Sequence, residues 1–136
     1  MTGGEIATSP PGPAAEAKQI LVVDDETDLL ATYERLLRRH GYAVVPAASR
    51  EAGLCAVRSG RPALVITDLR LPDGDGLDVV HAARASAPPM PVIVVTGFPT
   101  AHARRATLAA GASAFLPKPF SSSELAGLVL RLAPPD

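Results

Sequence analysis

Residues 64–76 read LVITDLRLPDGDG. Leu64, Val65 and Ile66 are apolar without alternation, and the run stops on a carboxylate, Asp68. A loop carrying Gly74 and Gly76 opens behind it. An apolar run with no period of two reads as a strand covered on both faces, the kind found in parallel sheets under helices. An acid where such a strand ends lies on the sheet's carboxyl edge, and open α/β sheets bind ligands along that edge. This one stretch therefore sets the fold class and points to a site.

Outward from it, the chain alternates. QILVVDD (19–25) is another apolar run, ending in Asp24 and Asp25. ETDLLATYERLLRRHG follows, with Leu29, Leu30, Tyr33, Leu36 and Leu37 spaced for one helical face and Gly41 as its stop. YAVVPA predicts a short strand, and SREAGLCAVRSG a helix opened by Ser49 and closed by Gly60. After the central strand comes LDVVHAARASA, a helix that Pro88 and Pro89 end. PVIVVT, a helix over TAHARRATLAAG capped by Thr100, the short strand SAFLPK, and a helix over SSELAGLVLRL capped by Ser121 or Ser122 complete the set. Five strands alternating with five helices predict an α/β fold: a doubly wound parallel sheet with helices on both faces.

Composition bounds what such a fold can do. The chain has 136 residues, enough for one domain, and 47% hydrophobic residues, enough for a core of Val, Leu, Ile and Ala. A net charge of −1 gives no electrostatic reason to expect nucleic acid or an anionic membrane. No apolar run approaches the roughly 20 residues that span a bilayer. With one cysteine, Cys55, no internal disulfide forms; its place in an apolar helical pattern predicts packing rather than reactivity. A cytoplasmic protein is expected. Residues 1–17 are too poor in large apolar side chains to offset their ordering entropy and read as a disordered tail. The ordered domain is expected over 18–132, with 133–136 as a C-terminal tail.

Parallel strands put their carboxyl ends on one edge. That edge then gathers Asp24 and Asp25 from the first strand, Asp68 from the third, Thr96 from the fourth and Lys118 from the fifth. Each pair of carboxylates at close range repels by about 4 kcal/mol at an effective dielectric near 20. The cluster must take up a proton or bind a hard cation, and an all-oxygen set suits Mg²⁺. Lys118 and Thr96 supply a charge and a donor suited to phosphoryl oxygens. Singly, each residue reads as a cap or a solvated side chain; it is their common position on four strands that carries the site.

Other motifs are weaker. A calcium loop starting at Asp73 needs glycine where Asp78 stands and glutamate where Arg84 stands. Asp73 and Asp75 are expected to shape the turn into the third helix. Gly74-x-Gly76 lacks the third glycine of a dinucleotide fingerprint, since Val79 occupies that position. His40, His81 and His102 have no ligand-like spacing, and Arg104 and Arg105 read as a solvated face that a docking partner can use.

The blocks ILVVDDE, LVITDLRLPDGDGLDVV, VIVVTGFP and GASAFLPKPF, in this order and spacing, resemble the receiver domain of bacterial two-component response regulators. The resemblance implies a flavodoxin-like sheet of order 2-1-3-4-5 and a signalling domain rather than an enzyme. It makes Asp68 the phosphoacceptor, charged by a sensor histidine kinase or phosphotransfer protein. It makes Asp25 the direct ligand of Mg²⁺ (Mn²⁺ can substitute), Asp24 a ligand through water, and Asp68 and the Arg70 backbone carbonyl further members of the metal set. Lys118 would pair with a phosphoryl oxygen, and its bond to Pro119 would be cis. Thr96 would swing to the phosphoryl group and Phe115 would turn in behind it, reshaping the face of helix four, strand five and helix five. Arg70 and Phe98 occupy positions that tune dephosphorylation, and a bulky Phe98 points to slow turnover. The output is expected to be a downstream protein or an effector domain beyond residue 132, so the chain is a stand-alone receiver or part of a longer regulator or hybrid kinase; a homodimer through helices four and five is a further expectation. Two other readings stay open. A haloacid-dehalogenase-like phosphatase needs a second aspartate where Arg70 stands, and a receiver-like module that is never phosphorylated has no need of the full acid, hydroxyl and lysine set.

Overall fold

A computed structural model describes residues 17–135 of the chain. The tail expected over 1–17 lies, but for Ala17, outside the described residues. In chain order the elements are β1 (Gln19–Val23), α1 (Thr27–Arg39), β2 (Ala43–Ala47), α2 (Arg50–Arg58), β3 (Pro62–Asp68), β4 (Arg70–Leu71), β5 (Gly74–Asp75), α3 (Leu77–Arg84), β6 (Val92–Thr96), α4 (Ala101–Ala109), β7 (Ala114–Pro117) and α5 (Ser122–Leu132). The long strands form one sheet in the order β2-β1-β3-β6-β7, and every pairing is parallel. Counting those strands alone, the order is the expected 2-1-3-4-5, a flavodoxin-like sheet. The order reverses beside β1, so the loops after β1 and β3 flank the crevice where this fold binds ligands.

Side-chain alternation splits the core into two layers. Ile20, Val22, Leu64, Ile66, Ile93, Val95 and Leu116 face Tyr33, Leu36 and Leu37 of α1 and Leu125, Ala126 and Val129 of α5. Leu21, Val23, Val65, Val92 and Val94 face Leu54 and Val57 of α2 and Val79, Val80 and Ala83 of α3. The central strands β1, β3 and β6 are therefore buried on both sides, which is why they read as unbroken apolar runs. The edge strands β2 and β7 are only partly buried.

Local chemistry marks the element ends. Ser49 and Thr100 accept from backbone N–H groups at the starts of α2 and α4, and Ser121 forms a capping box with Glu124 on α5. Gly41, Gly60 and Gly111 follow α1, α2 and α4 with positive φ. Glu26 takes the N-cap position of α1 but makes no capping bond with its side chain.

Several expectations need correction. The third helix was expected to reach the proline pair but stops at Arg84. Beyond it the N–H groups of Ser86 and Met90 both turn back to the Ala83 carbonyl. Cys55 is exposed rather than packed, because Gly53, Leu54 and Val57 form the buried stripe of α2. Asp73 does not shape the turn into α3; its two carboxylate oxygens accept from the N–H groups of Arg50 and Glu51 at the start of α2. Asp75 does shape that turn, accepting from Leu77 N–H at 2.9 Å. Just past α5, Ala133 is buried and its carbonyl accepts from the Tyr42 hydroxyl at 2.6 Å. The antiparallel hairpin β4–β5 had no strand-like pattern in the sequence.

That hairpin brings Gly76 back over the end of β3, with its N–H donating to Leu69 O at 2.8 Å. A Cβ at Gly76 would lie 1.9 Å from the Asp68 carbonyl oxygen. Gly76→Ala should therefore destabilise the fold by about 3 kcal/mol or more in urea unfolding, because backbone must move to admit the methyl group. Ser121→Ala, which removes one capping bond at an exposed site, should cost only about 1 kcal/mol in the same assay.

Candidate functional site

Alternation along the strands decides which groups meet. Asp24 continues the face of Ile20 and Val22, Asp68 that of Ile66, and Lys118 that of Leu116; all three stand on the α1–α5 side of the sheet. Thr96 continues the face of Val94, and Phe115 packs against the opposite layer. The carboxyl edge thus holds a charged group on one side of the sheet plane and a hydroxyl and an aromatic on the other.

The charged group is compact. Lys118 Nζ donates to Asp68 Oδ2 at 2.9 Å, Asp24 Oδ2 at 3.0 Å and Glu26 Oε1 at 3.2 Å. Asp24 is fully buried and Asp68 nearly so, while Asp25 is exposed. One carboxylate oxygen from each of Asp24, Asp25 and Asp68 lies within 4.8 Å of the others. Backbone donors orient two of these acids: Glu26 N–H donates to Asp24 Oδ1 at 2.9 Å, and Arg70 N–H to Asp68 Oδ1 at 3.2 Å. Three hard oxygens from separate carboxylates at this separation fit a divalent cation such as Mg²⁺, with waters filling the remaining positions.

Burial and charge oppose each other here. Burial raises the pKa of Asp24 above its ordinary value, while the Glu26 N–H and Lys118 pull it down and the Asp68 charge pushes it up. Burial alone would lower the Lys118 pKa, but its bonds to Asp68 and Asp24 outweigh that, and the ammonium is held well above the usual lysine range. Lys118 stays charged and acts as the counter-ion of the acids.

Thr96 is buried, and its Oγ1 accepts from Phe98 N–H at 3.0 Å. The Lys118 N–H donates to Thr96 O at 2.8 Å, linking the ends of β6 and β7. The Lys118–Pro119 peptide is cis, as is Ala87–Pro88. Phe98 is 57% exposed, and the Arg70 guanidinium stands 4.0 Å from its ring centroid. Phe115 is half-buried, with the Arg104 guanidinium 5.8 Å from its ring. His40, His81 and His102 form no cluster with one another or with the acids among the described residues. Glu26 was weighed in the sequence only as a cap; its place next to the acid pair was the signal that it reaches the lysine.

Residues 20–130 match the model of the response regulator receiver domain. The chain belongs to this family. Receiver domains of two-component systems are signalling domains that generally bind Mg²⁺ at an acidic pocket. The transcriptional regulatory protein PrrA of Mycobacterium tuberculosis is 39% identical over 114 residues, covering 84% of this chain and 49% of that protein. The photosynthetic apparatus regulatory protein RegA of Rhodobacter capsulatus is 32% identical over 113 residues, covering 83% of this chain and 61% of that protein. The chain spans about half the length of the curated transcriptional regulators it matches. Among solved structures, a CheY-like receiver domain protein from Methanospirillum hungatei superposes with a TM-score of 0.80 at 32% identity, covering 85% of this chain and 92% of that one. No helix among the described residues is long and apolar enough to cross a membrane.

The lysine's role is testable through pH. With its folded pKa raised, Lys118 contributes stability fully below the ordinary lysine value and loses it only as pH rises through the higher folded value. The stability difference between wild type and Lys118→Met should therefore hold from neutrality to pH 10.5 and narrow only above it, measured by urea unfolding. Added Mg²⁺ should raise the midpoint of Lys118→Met more than that of wild type, because no resident cation then screens Asp24 and Asp68.

Proposed function

We propose that this receiver domain takes a phosphoryl group onto Asp68 from a sensor histidine kinase or a phosphotransfer protein. One observation carries the reading: Lys118 Nζ bridges Asp68 Oδ2 and the buried Asp24 Oδ2 inside a carboxylate trio sized for a divalent ion. In the reaction an Asp68 carboxylate oxygen attacks phosphorus. The P–N bond to the donor imidazole breaks, the imidazole leaves, and an acyl phosphate remains. Asp25 would hold Mg²⁺ directly and Asp24 through water, with Asp68 and the Arg70 backbone carbonyl as further ligands; Mn²⁺ can substitute. The bound cation supplies positive charge against the phosphoryl oxygens. Lys118 supplies a second positive charge, leaving Asp68 for a phosphoryl oxygen. Thr96 supplies a hydroxyl donor, exchanging its contact with Phe98 N–H for the new group.

The output follows from the same exchange. Once Thr96 moves, Phe115 fills the space behind it, and the face of α4, β7 and α5 changes shape. That face is a two-state element biased by contacts that exist only with phosphate present. A downstream protein, or an effector domain in a longer polypeptide, reads it; a homodimer through α4 and α5 uses the same surface, with Arg104 and Arg105 on its rim. The receiver itself needs no nucleic acid and no membrane. The Arg70 guanidinium covers the Phe98 ring at 4.0 Å, two residues beyond Asp68 and Thr96 respectively, which supports shielding of the acyl phosphate from water and a long-lived phosphorylated form.

Incubation with Mg²⁺ and acetyl phosphate should add one phosphoryl mass, and Asp68→Asn should abolish the gain. Continuous phosphate release from a small substrate would instead favour a phosphatase of the haloacid dehalogenase type, and no gain at all a module that is never phosphorylated. Arg70→Ala and Phe98→Ala should each shorten the half-life of the phosphorylated form by about threefold to tenfold, followed by loss of the added mass; an unchanged half-life in both would remove the stack from the account of turnover.

A further inference from the structure

The loop behind Asp68 is held from outside. Hairpin β4–β5 has two ladder pairs, Arg70 with Asp75 and Leu71 with Gly74. A two-stranded hairpin of that size is marginal by itself, so its position is set by what grips it. At its base, Arg70 N–H donates to Asp68 Oδ1 at 3.2 Å, and Gly76 N–H to Leu69 O at 2.8 Å. Its tip, Pro72 and Asp73, reaches α2. Asp73 Oδ1 accepts from Arg50 N–H at 2.7 Å, and Asp73 Oδ2 from Glu51 N–H at 2.9 Å.

These are the first two N–H groups of α2, which have no partner within the helix. Ser49 Oγ takes the next one, from Ala52, at 3.1 Å. A carboxylate at this point also meets the positive end of the helix dipole. The Glu51 and Arg50 N–H groups hold the Asp73 carboxyl below the usual carboxylate range, so it is ionised at neutral pH. The Arg50 side chain closes the clamp from the other side. Its Nε donates at 2.7 Å to Oδ2 of Asp78, in the first turn of α3. On the way it passes over Gly74, where a Cβ would lie 2.5 Å from Arg50 Cδ. The hairpin tip is thus fixed to α2 by two bonds and covered by an arm that reaches α3.

Resting on the phosphoacceptor reading above, in which the Arg70 backbone belongs to the metal set, we propose that Asp73 is a positioning residue for the cation site. It anchors the hairpin on α2, and the anchored hairpin holds the Arg70 backbone against Asp68. Asp73 acts from outside the trio of Asp24, Asp25 and Asp68, through backbone rather than by ligation. Coupling between two sites is reciprocal, so a cation bound at the trio stabilises the anchor in turn.

Asp73→Ala removes both acceptors at an exposed position. Ser49→Ala removes the neighbouring cap of the same helix without touching the hairpin, and serves as the control. Mg²⁺ affinity of the full chain, read by titrating backbone amide NMR signals, should weaken about tenfold in Asp73→Ala, the lower end for a group that orients a metal ligand. In Ser49→Ala it should stay within about twofold of wild type, because that cap and the metal share no partner. Mg²⁺ should slow hydrogen exchange at the Arg50 and Glu51 N–H groups in wild type and in Ser49→Ala, but not in Asp73→Ala. If Asp73→Ala does not fold, Asp73→Asn, which keeps one acceptor, carries the same test with a loss of about threefold. Equal Mg²⁺ affinity in wild type and the Asp73 variant would overturn the proposal while leaving the phosphoacceptor reading intact. Equal weakening in the Asp73 and Ser49 variants would show that only the stability of α2 matters, and would overturn it too. A wild type that neither binds Mg²⁺ nor gains a phosphoryl mass from acetyl phosphate would overturn both.

Discussion

The salt-bridge cluster of Lys118 with Asp24 and Asp68 is the constraint on which the site depends. The bonds join side chains 94 and 50 residues apart in sequence, at 3.0 and 2.9 Å. Three strands end at this point, and without a cation there the buried acids would repel by several kcal/mol per pair. Breaking a buried pair is far more costly than the pair is stabilising, because it strands a charge out of water. The lysine therefore serves as a resident cation whose place can be shared with an incoming one. Under the proposed function this matters, since the resting state must be stable yet able to rearrange when new charge arrives.

The sheet plane divides the device. Asp24, Asp68 and Lys118 lie on the α1–α5 side, while Thr96 and Phe115 extend from the other layer. The acids and the lysine, and the hydroxyl and the aromatic ring, are thus on opposite sides of one edge. They are joined through backbone, by the bond from Lys118 N–H to Thr96 O at 2.8 Å. Under the proposed function, this bond gives a change at Asp68 a short path to the α4–β7–α5 face. Two glycine features support the edge: Gly76 lets the β4–β5 hairpin return against the Asp68 carbonyl, and Gly53 lets α2 close on Val23.

Much of this was legible in the residues. Unbroken apolar runs identified the central strands because β1, β3 and β6 are covered on both faces. Ser49, Thr100 and Ser121 marked helix starts because capping is a local bond, three residues long. The third helix ran short of its expected end and Cys55 turned outward, because the stopping point and the buried stripe depend on what packs alongside. The hairpin over 70–75 was missed because two-residue strands carry no period. Asp73 was assigned to the wrong helix for a similar reason: its partners are backbone groups of Arg50 and Glu51, over twenty residues away.

By itself the sequence determined the alternation of strands and helices, the parallel sheet and the gathering of acids, hydroxyl and lysine on one edge. These follow from short-range periodicity and from the geometry of parallel strands, in which every carboxyl end points the same way. Only the tertiary structure decided which of those groups touch. It placed Glu26 on Lys118 and left Asp25 open to solvent. Such contacts depend on the face each side chain takes and on how closely separate strand ends approach, and both are set by long-range packing rather than by neighbours in the chain.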